Sequence, residues 1–387
     1  VSPLIVEEVN TVDALRALEP EWRRLEQETA VSLPFFTFDW AVSWWAHFRE
    51  SRATVRDSLF VRAIRTRAGK LVAVAPLMLT ERPAVGPLRV RYVQFFGSDP
   101  NITELKGVLA APGHEAAAHK ALQQHLTSSR HRWDWLQWGG ILAGSATENV
   151  LHASAALEWQ RDVENFVLPL PATWDALRAS LKRNIKESLR KCYNSLKRDG
   201  HVATFEVVRE REQVAAALQH FFRLHAARAN VTGTVQHKDV FSSRVGRAFL
   251  VDICERYAAR DQARIFLLKV GEQVVATRVG FAFGRSLYLY YSGYDPAWGK
   301  YSVMTTAMAE AIRYAIAKGF AEVNLSTGND VSKTRWGPKS RVYREALQRS
   351  GLPRGNVALK AYRYALKARE NKTLKNLAGH FLARRSE

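Results

Sequence analysis

The chain has 387 residues, 47% of them hydrophobic and 24% charged, which is enough apolar material for two cores of ordinary size. No run approaches the roughly 18 to 20 apolar residues that span a bilayer, and the opening Val-Ser-Pro-Leu-Ile-Val-Glu-Glu lacks the pattern of a signal peptide, so a soluble cytoplasmic protein is expected. A formal net charge of +20 predicts attraction to something anionic: a phosphorylated small molecule, an anionic lipid surface or RNA.

Residues 4 to 9 read as a strand, and Thr11 as the N-cap of a helix running to about Thr29 with Leu15, Leu18, Trp22 and Leu25 inward. Asp39 stands just before a second helix, where Trp40, Trp44 and Phe48 recur at helical spacing, a stripe read as core rather than as a ligand box. Strands are expected at Ser58–Arg65, Leu71–Leu79, Val90–Phe96 and Trp135–Trp138, with a helix between Glu115 and Thr127. The polar loop from Gly97 to Glu104 follows a strand and is either an ordinary turn or one wall of a groove between two halves.

From Thr173 to Asp199 the residues Leu177, Leu181, Ile185, Leu189, Tyr193 and Leu196 predict one long helix ended by Gly200. It is basic, through Lys182, Arg183, Lys186, Arg190, Lys191 and Lys197, although each of these singly suits a solvated face. A strand over His201–Val208, a helix through Phe221 to Arg228, a loop from Arg228 to Gly233 and a helix over Phe241–Arg256 follow. Cys192 and Cys254 lie far apart in helical patterns and read as reduced, structural thiols.

The centre of the chain runs from Arg264 to Arg335. Ile265–Val270 and Gln273–Phe283 form an antiparallel pair around Gly271-Glu272, and Leu287–Tyr294, large at nearly every position, suits a strand covered on both faces. Met304, Ala307, Met308, Ala311, Ile312 and Ala315 then share a helical stripe with Gly319 as terminator, and Val323–Leu325 is the next strand. This is a crossover unit whose strand-to-helix turn presents unpaired backbone amides, a place for an anion. The order of elements in the first half is similar, so the expected fold is α/β (α+β): two tandem halves, each a mixed, mostly antiparallel sheet flanked by helices, with boundaries at 1–171, 172–200, 201–350 and 351–387. In the tail, Leu374, Leu377, Ala378, Phe381 and Leu382 oppose Lys372, Lys375, Arg384 and Arg385, a basic amphipathic face that would dock on the domain or lie on an anionic membrane.

The run from Tyr288 to Pro296, the pair Tyr301-Ser302, the long helix, the segment from Asn324 to Asp330 and Lys333-Thr-Arg-Trp-Gly337 resemble the CelD-like branch of the GNAT-type N-acyltransferases, which is related to the FemAB-type aminoacyl transferases. The resemblance extends more weakly from Leu4 to Ala346. It implies a GNAT core in which two central strands splay to admit the pantetheine arm of an acyl-CoA, with the pyrophosphate at the turn Trp298, Gly299, Lys300, Tyr301, Ser302 and Val303. This turn keeps one glycine where the commoner family loop has two. The same resemblance matches His225 and Arg228 to a helix bordering the acceptor pocket, and Lys333, with Arg335 and Trp336, to an acceptor-holding motif.

Such transfer is direct attack of an amine on a thioester, and it needs a base for the ammonium proton and an acid for the leaving thiolate. Asp330 is the first candidate base, although it equally suits a cap for a short helix beginning at Val331. Tyr290 and Tyr294 are candidate acids that would otherwise simply pack. The resemblance implies acetyl-CoA or another acyl-CoA as co-substrate; no metal-ligand spacing and no nucleophile with its base is evident, so no metal is expected and a covalent acyl-enzyme is disfavoured. The alternatives are a FemAB-like transferase fed by aminoacyl-tRNA, whose RNA-binding hairpin is not evident, and a non-catalytic protein that binds RNA or a membrane surface.

Overall fold

The computed structural model describes residues 3–29, 32–83, 89–99, 101–153, 157–231 and 238–367. Among them are sixteen strands: β1 (Ile5–Val9), β2 (Ser51–Arg52), β3 (Val55–Leu59), β4 (Val61–Arg65), β5 (Leu71–Ala75), β6 (Leu77–Arg82), β7 (Val90–Phe95), β8 (Leu109–Ala110), β9 (Trp135–Leu142), β10 (Leu157–Pro169), β11 (Ala203–Val208), β12 (Ala263–Val270), β13 (Gln273–Phe283), β14 (Ser286–Tyr294), β15 (Glu322–Thr327) and β16 (Lys339–Arg349). They form a four-stranded sheet, β1-β4-β5-β8, and a twelve-stranded sheet in the order β11-β12-β13-β14-β15-β10-β16-β9-β7-β6-β3-β2.

The large sheet is mixed and mostly antiparallel. It has two parallel junctions, β7 with β9 and β14 with β15. The helix Glu115–Ser128 lies between the strands of the first and Val303–Ala317 between those of the second, so the crossover predicted for the centre of the chain occurs twice. Between the two units the chain exchanges strands. β10, from the first half, pairs with β15, and β16, from the end of the second, pairs with β9; the two exchanged strands also pair with each other.

Neither exchanged strand was anticipated. Both carry charges at positions where a strand would show apolar alternation, because those charges meet across the ladder: Arg161 bridges Glu345 at 3.0 Å, and Arg344 bridges Asp162 at 3.3 Å.

Two expected strands each divide between the sheets. Ser58–Arg65 breaks at Phe60 and Leu71–Leu79 at Pro76, which has no N–H to give to a ladder. The single long helix expected from Thr173 is two, Trp174–Ser180 and Arg183–Arg198. Thr173 does cap the first, accepting from the Ala176 amide, but Leu181 and Lys182 are extended (ψ 149° and 152°) and Leu181 is still buried against Leu177, Ile185 and Leu189. The apolar stripe that predicted continuity therefore survives a break in the backbone. The first helix likewise divides at Leu18, and Asp39 lies inside the first turn of Phe38–Phe48, whose cap is Thr37.

Other expectations are met closely. Thr11 caps its helix, Gly319 follows Val303–Ala317 at φ +74°, and both cysteines are free and buried. The aromatic stripe is core: Trp40 and Trp44 are each 1% exposed. The start of the tail docks, with Leu359 buried and Tyr362 against Tyr92 and Trp135. The amphipathic face from Lys372 onward lies outside the described residues. No described helix is long and apolar enough to cross a membrane.

Candidate active site

β14 and β15 pair through Ser286↔Glu322, Leu287↔Val323 and Tyr288↔Asn324, and their pairing ends there although β14 runs on to Tyr294 and β15 to Thr327. The cause is local. The Asn324 side chain accepts the Ser326 amide at 2.9 Å, and Ser326 sits at φ +71°, which bends β15 off the ladder. The gap opens into a cavity of about 890 Å³.

One wall is the start of the helix Val303–Ala317. Ser302, its N-cap, is left-handed (φ 55°, ψ 40°) and makes no side-chain cap. The Thr305 and Thr306 amides turn back to the Ser302 carbonyl, so the Val303 and Met304 amides are the orphan donors of this helix end. Gly299, Ser302, Val303, Met304 and Thr305 all line the cavity. A Cβ on Gly299 would meet only the Tyr294 ring, at 4.0 Å, so packing within the chain does not demand glycine there.

The opposite wall comes from the first half, in the loop Gly97 to Glu104. Asp99 knots it, accepting from the Trp44 indole (2.8 Å), the Ile102 and Thr103 amides (2.6 and 2.9 Å) and the Thr103 hydroxyl (2.6 Å). Trp40 donates to Thr103, and the hydroxyls of Tyr290 and Tyr291 donate to the carbonyls of Ile102 and Asn101. Gly97, at φ +98°, is required, since a Cβ would fall 2.5 Å from Thr103 Cγ2. The knot delivers Glu104 to the mouth of the splay, where its carboxyl accepts from the Tyr288 hydroxyl and, at both oxygens, from the Ser326 hydroxyl (2.7 and 2.8 Å from Ser326). Burial pushes this carboxyl above its usual range, against the opposing pull of Lys333 and of these hydrogen bonds.

The floor is a charged cluster. Lys333 donates to the Thr327 carbonyl and its ammonium is pushed below its usual range, by burial first and then by Arg278 and Arg228, against Glu104 and Asp330. Arg228 donates to the Ser292 hydroxyl at 3.0 Å. Arg278, 7% exposed, has its pKa pushed down to about 10 by burial and by Arg228. Asp330 does cap Val331–Thr334, accepting the Ser332 amide at 2.6 Å. Burial raises it, but that bond, Lys333 and Arg228 outweigh burial and hold it below the usual carboxylate range.

Of the residues singled out in the sequence, the cavity brings together Asp330, Tyr290, Tyr294, Gly299, Ser302, Val303, Arg228, Lys333, Arg335 and Trp336. Four lie outside its lining. Trp298 packs edge-on against His201; Tyr301 is buried, donating to Asp199 at 3.0 Å with His201 Nε2 at 3.1 Å; Lys300 lies over the Tyr301 ring. His225 donates from Nδ1 to the Ser292 carbonyl at 2.9 Å beneath β14, and helix and strand lie so close that a Cβ on Gly293 would be 2.4 Å from the His225 backbone nitrogen. Sequence reasoning missed Glu104, Arg278 and Ser326. Arg278 had a signal, a lone cation inside an apolar strand, whereas Glu104 depended on which way its loop faced. Among the described residues no group of three His, Cys, Asp or Glu side chains is placed to hold a metal.

Residues 183–334 match the model of the acetyltransferase (GNAT) domain family. The chain is similar in fold to the crystal structure of FemX (TM-score 0.55, 12% identity, covering 87% of this chain and 96% of that one). It is similar as well to the C-terminal domain of a putative lysylphosphatidylglycerol synthetase from Agrobacterium fabrum (TM-score 0.52, 12% identity, 91% and 96%). A tandem GNAT protein from the clavulanic acid biosynthesis pathway aligns at TM-score 0.44 and 11% identity, covering 90% and 99%. No curated protein matches the chain in sequence. The segment that matches this model, 183–334, is the one that holds the splayed strands and the helix start.

Proposed function

We propose that the chain is an acyl-CoA-dependent N-acyltransferase of the CelD-like kind, moving an acyl group, acetyl in the first instance, to an amine of a small molecule or of an envelope or polysaccharide precursor. The observation that carries this reading is the parting of β14 and β15 beside the uncapped start of Val303–Ala317, inside one cavity. The donor residues fit the group: the Val303 and Met304 amides suit a pyrophosphate, and the open β14 edge suits an extended arm. Bound acyl-CoA would supply the thioester. In the ternary complex the amine attacks the thioester carbonyl, the C–N bond forms and the C–S bond breaks.

Glu104, whose carboxyl burial raises above its usual range, is the base we favour for the ammonium proton. Asp330, held ionised and bound to Ser332, is the second candidate. Tyr290 directs its hydroxyl to Ile102, which leaves Tyr294 to protonate the thiolate. Arg228, Lys333, Arg335 and Trp336 would hold the acceptor. We place the acyltransferase unit at 201–350, with 1–171 supplying the Glu104 wall, 172–200 linking them and 351–387 as a tail, in the cytoplasm.

The test is thermal denaturation with acetyl-CoA and longer acyl-CoAs, for the natural chain and for Thr305→Glu. A ligand at a hundred times its Kd adds about 2.7 kcal/mol. A glutamate in the first turn favours the helix itself by about 0.3–1 kcal/mol but repels a phosphate at its end. A chain-length-dependent rise in midpoint that Thr305→Glu loses supports the reading. No shift with any acyl-CoA refutes it and directs the search to aminoacyl-tRNA and anionic lipids as donors.

A further inference from the structure

We propose that the acceptor carries a negative group, a carboxylate or a phosphate, beside its reacting amine, and that Arg278 is the anchor for that group in the cavity. The identity of the amine rests on the acyltransferase reading; the anion site does not.

Arg278 sits in the middle of β13, where Val274 to Phe281 are all buried. Its guanidinium lines the cavity rather than the sheet, and its Nε is buried without a hydrogen-bond partner. An arginine kept at such a place for packing alone would have its fork saturated, because a buried unsatisfied donor is destabilising and an incompletely paired buried cation more so. The charges around it sharpen the point. Arg228, Lys333 and Arg278 share the floor with Asp330 and Glu104, and over the whole lining, with Arg161, Arg335, Asp162 and Glu164, cations still outnumber carboxyls five to four.

Neither carboxyl forms an ion pair with Arg278 among the described residues, although Asp330 attracts its charge from farther off. Asp330 is engaged by the Ser332 amide, and Glu104 by Tyr288 and Ser326. A planar or tetrahedral oxyanion entering the cavity would meet the guanidinium fork with the geometry it binds best, and would remove the like-charge repulsion with Arg228. The pyrophosphate of a donor does not meet this need, since the proposed place for it is the helix start at Ser302–Thr305. The acceptor is therefore a compound such as an amino acid or a phosphorylated amino sugar, rather than a neutral amine.

The test has two parts. Calorimetric titrations compare glucosamine 6-phosphate with glucosamine, and glycine with glycinamide, on the natural chain and on Arg278→Met. In parallel the thermal midpoints of the two unliganded chains are compared. The expected result is at least tenfold tighter binding of the anionic member in one pair, lost in Arg278→Met, whose own midpoint equals or exceeds that of the natural chain. The responding pair tells phosphate from carboxylate. No preference in either pair, a preference that survives Arg278→Met, or an Arg278→Met chain that melts lower or fails to fold overturns the proposal, because the last outcome marks a structural arginine. Thiol release from acetyl-CoA is read separately: anion preference without release keeps the anion site and removes the acyltransferase reading, and release without preference does the reverse.

Discussion

Replacing Glu104 by glutamine separates chemistry from folding at this site. The carboxyl accepts from Tyr288 and Ser326, and glutamine keeps the shape and one acceptor oxygen, so the loss of a single net hydrogen bond, about 1 kcal/mol, bounds the change in stability. If Glu104 takes the ammonium proton, the rate falls by about 10² to 10⁴, or roughly 3 to 5 kcal/mol of barrier. The pH profile gives the sign. A base must be ionised, so the natural enzyme gains rate as pH climbs through the raised value of this carboxyl, and Glu104→Gln loses that limb. The linked stability runs the other way: a folded-state pKa above the unfolded one contributes stability at low pH that disappears as pH rises through the folded value, and the variant lacks this slope. The assay is initial thiol release from acetyl-CoA between pH 5 and 9, beside urea denaturation. A fall in kcat/KM of less than tenfold, with the rising limb intact, refutes the assignment. The same experiment on Asp330→Asn then decides whether the second carboxylate takes the role.

Asp99→Ala removes the acceptor of four hydrogen bonds that knot the loop delivering Glu104; a loss of about 2–4 kcal/mol in urea denaturation together with a drop in kcat is expected, though Asp99 does not line the cavity. Glu26, half-buried and accepting from the Phe38 amide, has its carboxyl pushed up to about 7. Stability should therefore decline as pH rises from 4.5 through 7, by at most about 3 kcal/mol, and Glu26→Gln should flatten that slope in denaturation curves across the range. Tyr301→Phe loses the bonds to Asp199 and His201, so about 1 kcal/mol of stability should go while KM for acetyl-CoA stays unchanged; a tenfold rise in KM would return Tyr301 to the donor site. Gly293→Ala forces β14 away from the helix Arg211–Ala229 and should cost more than about 2 kcal/mol, measured as a lowered denaturation midpoint.

Whatever depends on near neighbours along the chain is readable from the residues alone. The apolar stripe of Val303–Ala317, the hairpin at Gly271, the caps at Thr11 and Thr173 and the covered strand Ser286–Tyr294 were legible because propensity, periodicity and capping act over a few residues. The strand-to-helix turn and the segment from Ser326 to Lys333 were therefore found, and most of the residues named there reach the cavity.

Tertiary structure decided what depends on partners far away in the chain. β10 and β16 look too polar for strands until their charges meet each other, and the long basic helix breaks where both pieces can still bury the same leucines. Tyr301 and Trp298, plausible at a phosphate turn, are instead held by Asp199 and His201 across the fold. Glu104 belongs to the site only because Trp40, Trp44, Asp99 and Tyr290 aim its loop at a splay built by residues some two hundred positions later. A pattern of spacing records which face of an element is apolar. It does not record which of many polar loops the packed sheets will press together, and the chemistry proposed for this chain lies at such a junction.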